Sequence, residues 1–463
     1  MNTPTRRTVL AGAAAAAATT LTVRPTSAST GPDWTGLARA MAGPVYLPGS
    51  SQYASSKLVF NTRFDAARPL AVVRPANQAD IQQVVAFARR YGLHLSPRAG
   101  GHSYVGASAA AGRIALDLRG YAWPTTVSGS TATVYAGSTL YAVKSALAAR
   151  GLAVPTGTCP TVGAAGLTLG GGIGVESRAH GLTCDRLVAM TVVTGTGQAL
   201  RVSASSHADL FWALRGGGGG AGAIVTSLSY ATHPATAKGI FRLTFPVTAA
   251  VLTGWARWMS TTARSRWAGV HVDSDLRGGV RLSILGVTNA GDERAAAASL
   301  ISTIGVKATS ASYRSGSYLD AVVYLGGGTT SPRQPFIAGS DVLAALSTTT
   351  AETILGAVRA RSRAGAGGSA LLDPLTGAVG DIASAATAFP WRDHVASLQW
   401  YTGGSAYESA VRWIGDSRRA LGTASRGGYL NYLESGDPLS RYLAGNTNRR
   451  QQIMRAYDPY AVM

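Results

Sequence analysis

The stretch Pro97-Arg98-Ala99-Gly100-Gly101-His102-Ser103-Tyr104 places a reactive imidazole and two hydroxyls on one short, glycine-hinged loop. Glycine lets successive backbone amides turn inward with no Cβ in the way, and such a run makes a concavity for phosphate oxygens. Arg98 would support an anion held there, and His102 would stand beside whatever the phosphate belongs to. Taken alone, the loop could equally be a Gly-Gly turn carrying a solvated histidine. A second glycine-rich stretch follows: Gly157-Thr158-Cys159-Pro160-Thr161-Val162-Gly163, then Gly166-Leu167-Thr168-Leu169-Gly170-Gly171-Gly172-Ile173-Gly174. It carries one of the chain's two cysteines.

Regular elements must deliver these loops. Leu70 to Val73 reads as a strand before Pro75. Asn77 to Tyr91 reads as an amphipathic helix, with Ile81, Val84, Val85 and Ala88 on one face, Asp80 in the first turn and Gly92 at the stop. Leu93 to Leu95 begins a strand that leads into the first loop. Ile114 to Leu118 and Ala132 to Ala136 alternate as strands, and Ser138 to Arg150 is a helix with Leu140, Val143 and Leu147 facing inward. Leu187 to Thr194 and Ala199 to Val202 form a hairpin about Gly195-Thr196-Gly197. Asp209 to Arg215 is a short helix. Gly43 to Asn61, with Pro44, Pro48 and Gly49, is read as a loop without a long helix.

The two loops, with histidine and cysteine in this order, resemble the berberine-bridge-enzyme-like branch of the vanillyl-alcohol-oxidase type flavoproteins. The resemblance runs from about Asn61 to the C-terminus. It implies an α+β fold: a two-part PCMH-type FAD-binding domain over 31–238 and 427–463, and a substrate domain over 239–426 with an antiparallel sheet covered by helices. It implies covalent FAD, with His102 bonded to a methyl of the flavin and Cys159 bonded to the ring. Cofactor contacts are implied for Arg98, Ala99, Gly100, Gly101, Ser103, Tyr104, Gly137, Thr158, Val162, Gly163, Gly166, Leu167, Gly171, Gly174, Ile224 and Asn431. Where the family has an Asn-Phe-Gly segment against the cofactor, this chain has Ala221-Gly222-Ala223 before Ile224, so backbone contact is expected there. Gly428-Tyr429-Leu430-Asn431-Tyr432, Arg441-Tyr442 and Tyr457-Asp458-Pro459 match the family again at the returning C-terminal segment.

Oxidising an alcohol carbon needs a hydride acceptor, a base for the hydroxyl proton and groups that hold substrate over the flavin. The resemblance makes Tyr429 the base. A free tyrosine with a pKa of about 10 is a weak base at neutral pH, so its surroundings must favour the phenolate, with Arg392 a candidate for that help. The alternative is a tyrosine packed over the flavin with its hydroxyl satisfied by backbone. Gln399, whose amide cannot take a proton, is expected to orient substrate. The resemblance also implies that Val162, a small residue three after Cys159, faces the flavin edge and goes with dioxygen as final acceptor and hydrogen peroxide as co-product. The implied substrate is an oligosaccharide or a glycosylated secondary metabolite. The competing readings are a dehydrogenase or oxidative cyclase using another acceptor, and a flavin-loaded surface protein with little turnover.

Composition narrows the rest. With 463 residues, 46% hydrophobic and 14% charged, the chain is globular and long enough for two domains. Its net charge of +20 comes almost wholly from arginine spread along the chain, since the lysines are Lys57, Lys144, Lys238 and Lys307. No basic block or basic amphipathic helix points to nucleic acid or a membrane surface. Residues 1–30, with Arg6-Arg7 before an alanine-rich run, read as a twin-arginine export signal in bacterial style. That makes the twin-arginine translocase a partner and implies a secreted protein with no stable membrane anchor. The histidines show no ligand-type spacing with one another or with cysteine, so no metal is expected. A 159–184 disulfide is the competing fate for Cys159.

Overall fold

A computed structural model describes residues 31–404 and 406–463. The twin-arginine signal expected over 1–30 lies outside the described residues. Trp34 to Met463 form one compact unit.

The first half of this unit holds two sheets. In the four-stranded sheet, Ala71–Val73 and Leu95–Arg98 flank Ile114–Asp117 in parallel, and Val45–Tyr46 closes the Ala71–Val73 edge. The helix Gln78–Tyr91 makes the parallel crossover. Asn77 caps it by accepting from the Asp80 amide at 2.9 Å, and Gly92 ends it in the left-handed region at φ 63°. Its Ile81, Val84, Val85 and Ala88 are fully buried, each worth about 1–3 kcal/mol on transfer from water. The five-stranded antiparallel sheet orders as 126–128, 131–135, 223–231, 187–194 and 199–203. It shares one hydrophobic core with the first sheet.

The elements expected here are present with ends shifted by a few residues. Two findings differ. A six-residue helix, Ser51–Ser56, occupies the stretch read as loop. The second glycine-rich stretch is interrupted by the helix Ala164–Leu169.

The second half is organised by an eight-stranded antiparallel sheet. Its order is Ser310–Gly316, Lys238–Phe245, Val280–Asn289, Trp267–Ser274, Ser369–Pro374, Ala396–Gly403, Phe336–Leu343 and Ser425–Gly427. Strand alternation gives it two unlike faces. Phe241, Val270, Val272, Ile284, Leu372, Leu398 and Trp400 point into a core closed by the helices Ala249–Thr261, Glu293–Ile304, Thr348–Arg363 and Tyr407–Leu421. The opposite face carries polar groups in register, with Ser283, His271, Leu371, Gln399 and Ser340 on one transverse row. The Asp373–Ser397 pair lies one step along. No helix among the described residues is long and apolar enough to cross a membrane.

Candidate active site

The two glycine loops meet back to back. A Cβ built on Gly100 would lie 2.2 Å from the Gly163 nitrogen, and one on Gly163 would lie 2.2 Å from the Gly100 nitrogen. Only glycine permits this approach from either side. The contact brings His102 and Cys159 to one hydroxyl: His102 Nε2 lies 3.0 Å from Thr161 Oγ1, and Cys159 Sγ lies 3.8 Å from the same oxygen. The His102 ring stacks on Phe60 at 3.9 Å. Burial brings its pKa down to about 4, so the imidazole is neutral at physiological pH. Both cysteines are free thiols, Cys159 partly exposed and Cys184 buried, which removes the disulfide alternative.

Opposite the loops stands the polar face of the large sheet. Gln399 Nε2 donates to the Tyr104 hydroxyl at 2.6 Å. The Tyr104 ring stacks on Tyr432 at 5.0 Å and meets Phe336 edge-on at 5.0 Å. Phe336 in turn stacks on Tyr401 at 5.5 Å. Asp373, whose carboxyl is raised to about 6 by burial, exerts its charge on Tyr432. The histidine loop and the sheet therefore meet directly at Tyr104 and Gln399, with a thiol and an imidazole on the loop side and a carboxyl, an amide and further tyrosine hydroxyls on the sheet side.

Two expected roles change. Tyr429 is 2% exposed. Its hydroxyl accepts from the amides of Gly172 at 2.9 Å and Ile173 at 3.2 Å and from Asn431 Nδ2 at 2.7 Å. Burial pushes it up to about 12, against the pull of these donors. It is a buried strut whose hydroxyl is engaged by protein, whereas Tyr432, three residues on, is only half-buried. Arg392 does not assist Tyr429, because both its terminal nitrogens pair with Asp185 at 2.8 Å. Arg98 likewise does not face an anion in the loop. It is fully buried, paired with Asp117 at 3.0 Å and bonded to the carbonyls of Ser56 and Lys57. Its two terminal nitrogens are thus taken by protein.

The remaining expected contacts divide. Gly101 turns the histidine loop at φ 74°, and the Ser103 hydroxyl caps the Ala107 amide within it. Ala99 abuts Gly163 across the loop contact. Thr158, Val162 and Leu167 are partly exposed around Cys159. Gly137 and Gly174 owe their missing Cβ to protein backbone, at Leu118 O and Thr156 O, and Gly171 packs against Phe389. Asn431 also donates to Leu167 O at 2.9 Å, so it ties the returning segment to the cysteine wall.

The chain fits a flavin dinucleotide on several counts. Gly166 is exposed between buried Ala165 and partly exposed Leu167, and nothing lies within 4 Å of where its Cβ would be. The strand 131–135 pairs with 223–231 only from Ser227 onward, which leaves the edge at Ala223 to Val225, including Ile224, outside that ladder. The neutral imidazole and the thiol converge on the far side.

One cluster escaped the spacing search. Glu176, His180 and His233 place ligand-type atoms within 4.8 Å of one another. Lys238 already sits 2.8 Å from Glu176, and the two imidazoles stack in parallel at 3.7 Å, so their in-plane lone pairs do not converge. Only the fold brings His233 to the Glu176–His180 turn. Asp373 and Tyr432 also escaped; alternation in Ser369 to Pro374 was the available signal.

Together the fold and this site define a flavin-dependent oxidoreductase. An FAD binding domain model matches residues 69–203. An uncharacterised FAD-linked oxidoreductase of Bacillus subtilis is 29% identical over 415 residues, 84% of this chain and 89% of that one. Glucooligosaccharide oxidase of Sarocladium strictum is 38% identical over 179 residues, and the match covers 36% of its length. That of Arabidopsis berberine bridge enzyme-like 18 covers 36% as well, at 35% identity. In these two the aligned part is well under half of the relative. Among solved structures, glucooligosaccharide oxidase from Acremonium strictum, with a 6-S-cysteinyl, 8α-N1-histidyl FAD, superimposes with TM-score 0.83 at 26% identity. It covers 92% of this chain and 96% of that one. Chitooligosaccharide oxidase shares the fold at TM-score 0.85 and 23% identity, over 92% of this chain and 97% of that one. The chain is thus similar to the berberine-bridge-enzyme-like FAD-linked oxidoreductases, with an FAD binding domain matched at residues 69–203.

Proposed function

We propose that this enzyme is a bicovalent FAD oxidase that converts a hydroxyl of an oligosaccharide or glycosylated metabolite to a carbonyl, with dioxygen taking the electrons as hydrogen peroxide. The observation that carries it is the convergence of His102 Nε2 and Cys159 Sγ on the Thr161 hydroxyl. With Nε2 so engaged, Nδ1 is the His102 nitrogen available for a bond. FAD, when bound, supplies the acceptor for the substrate's hydride. Asp373, whose carboxyl at about 6 suits a base at neutral pH, takes the hydroxyl proton by way of Tyr432, whose own hydroxyl burial keeps protonated well above its ordinary range. Gln399 holds Tyr104, and the two form the polar floor on which the sugar is oriented. Residues 1–30 are read as the export signal.

The test has two parts. Denatured protein should keep its flavin, and peroxide should appear when oligosaccharides are added in air. Flavin released free, or substrate that bleaches the flavin without forming peroxide, would refute the linkage or the oxidase half respectively.

A further inference from the structure

Beneath the cysteine loop lies a cluster of charge that substrate oxidation does not use. Lys144, on the helix Leu140–Ala148, is 6% exposed, and its Nζ donates to the Gly157 carbonyl at 2.7 Å. The acid on that side, Glu176, is taken by other partners. Its Oε1 lies 2.8 Å from Lys238 Nζ, and its Oε2 accepts from the Tyr318 hydroxyl at 3.3 Å. His180 and His233 beside it are held neutral by burial. Two ammonium groups thus share one carboxylate, and Lys238 holds it. A cavity of about 20 Å³ is lined by Lys144, Glu176 and Lys238 of this cluster together with Thr158 of the cysteine loop.

A buried ammonium that no carboxylate pairs is costly and persists where its charge has a use. Burial brings Lys144 down to about 8, while Glu176 and Cys159 are the groups that hold its charge in place. The other groups facing Cys159 are uncharged: the Tyr104 and Tyr401 hydroxyls, pushed up by burial, and the Thr161 and Ser331 hydroxyls at 3.8 Å and 3.9 Å.

We propose that Lys144 is the positioning residue for flavin attachment at Cys159, clamping the cysteine loop through the Gly157 carbonyl and setting a buried positive charge beneath it. This rests on the bicovalent reading above. In the step, a carbon–sulfur bond replaces a ring carbon–hydrogen bond and the sulfur–hydrogen bond. The two hydrogens leave as protons, and the two electrons reduce dioxygen to hydrogen peroxide.

The experiment follows flavin mass on two tryptic peptides of the full-length protein, 99–113 with His102 and 151–178 with Cys159, after incubation with FAD in air between roughly pH 6 and pH 9. In Lys144→Met, flavin on Cys159 should accumulate about tenfold more slowly than in the parent. Lys144→Arg should restore part of the rate. Flavin on His102 and the melting temperature should be unchanged or raised, because an unpaired buried charge has been removed. Equal rates in parent and Lys144→Met, or equal slowing of both links with a lower melting temperature, would overturn the proposal. A parent protein with no flavin on Cys159 would overturn the bicovalent reading itself.

Discussion

The glycine loops and the polar face of the eight-stranded sheet meet at Tyr104 and Gln399, yet they are built by opposite means. The loops touch backbone to backbone at Gly100 and Gly163, with no side chain between them. The sheet presents one side chain per alternate residue on a scaffold whose other face is locked under helices. A change at the loop contact must move main chain, whereas a change at Gln399 or Leu371 leaves the ladder intact. The cofactor wall is therefore rigid and the substrate wall adjustable. Attachment chemistry can stay fixed in such a molecule while the substrate changes.

Mutations at the two walls should separate cleanly. Gly163→Ala drives a methyl to 2.2 Å from the Gly100 nitrogen. Overpacking against backbone exceeds the usual cost of about 1–3 kcal/mol, so the variant should yield little folded, flavin-bearing protein by absorbance and thermal melting. A normal yield with both links formed would break the contrast.

On the other wall, Tyr432→Phe should fold normally and lose about 10²–10⁴ in kcat, the span of a lost general base. Tyr429→Phe should do the reverse. It strands the amides of Gly172 and Ile173, lowering stability by about 1–3 kcal/mol with a smaller effect on kcat. Steady-state kinetics beside melting curves distinguishes the two tyrosines.

The pH profile comes next in size. Asp373 accepts a proton only when ionised, and its carboxyl is raised to about 6. kcat/KM should therefore rise with pH through about 6 and level off above it, and Asp373→Asn should remove that limb along with most of the rate. The same raised value means the folded state holds this proton longer than the unfolded chain does. Its burial accordingly costs stability above the ordinary carboxylate range, a cost that fades as pH falls below it. Smallest of all, Gln399→Leu should raise KM several-fold by freeing Tyr104, with kcat little changed and the flavin links intact.

The same contrast decides how much was legible in the sequence. Loops whose geometry demands glycine announce themselves, so His102 and Cys159 were found with their supporting helix and strands. The resemblance also reaches the Tyr429–Tyr432 segment, but not the fact that the Tyr429 hydroxyl is taken up by backbone amides. Which of two residues three apart points at the substrate depends on a tight turn, Tyr432 N to Tyr429 O at 2.8 Å, and on the Ser340 hydroxyl accepting from the Tyr429 amide at 2.9 Å. Neither contact has a local signature. Arg98 misled for a related reason: an arginine beside glycines looks the same whether it faces a phosphate or the buried Asp117. Asp373 lies on a strand whose alternation was readable, yet its role exists only because Tyr432 arrives from another part of the chain.

The central claim is that His102 and Cys159 each bond to one flavin. Its most direct test is acid precipitation of the parent, His102→Ala, Cys159→Ala and doubly substituted proteins, with flavin read in pellet and supernatant. A yellow pellet from the parent and from each single variant, with FAD free in the supernatant only for the double variant, is the predicted result. Free FAD from the parent would contradict it.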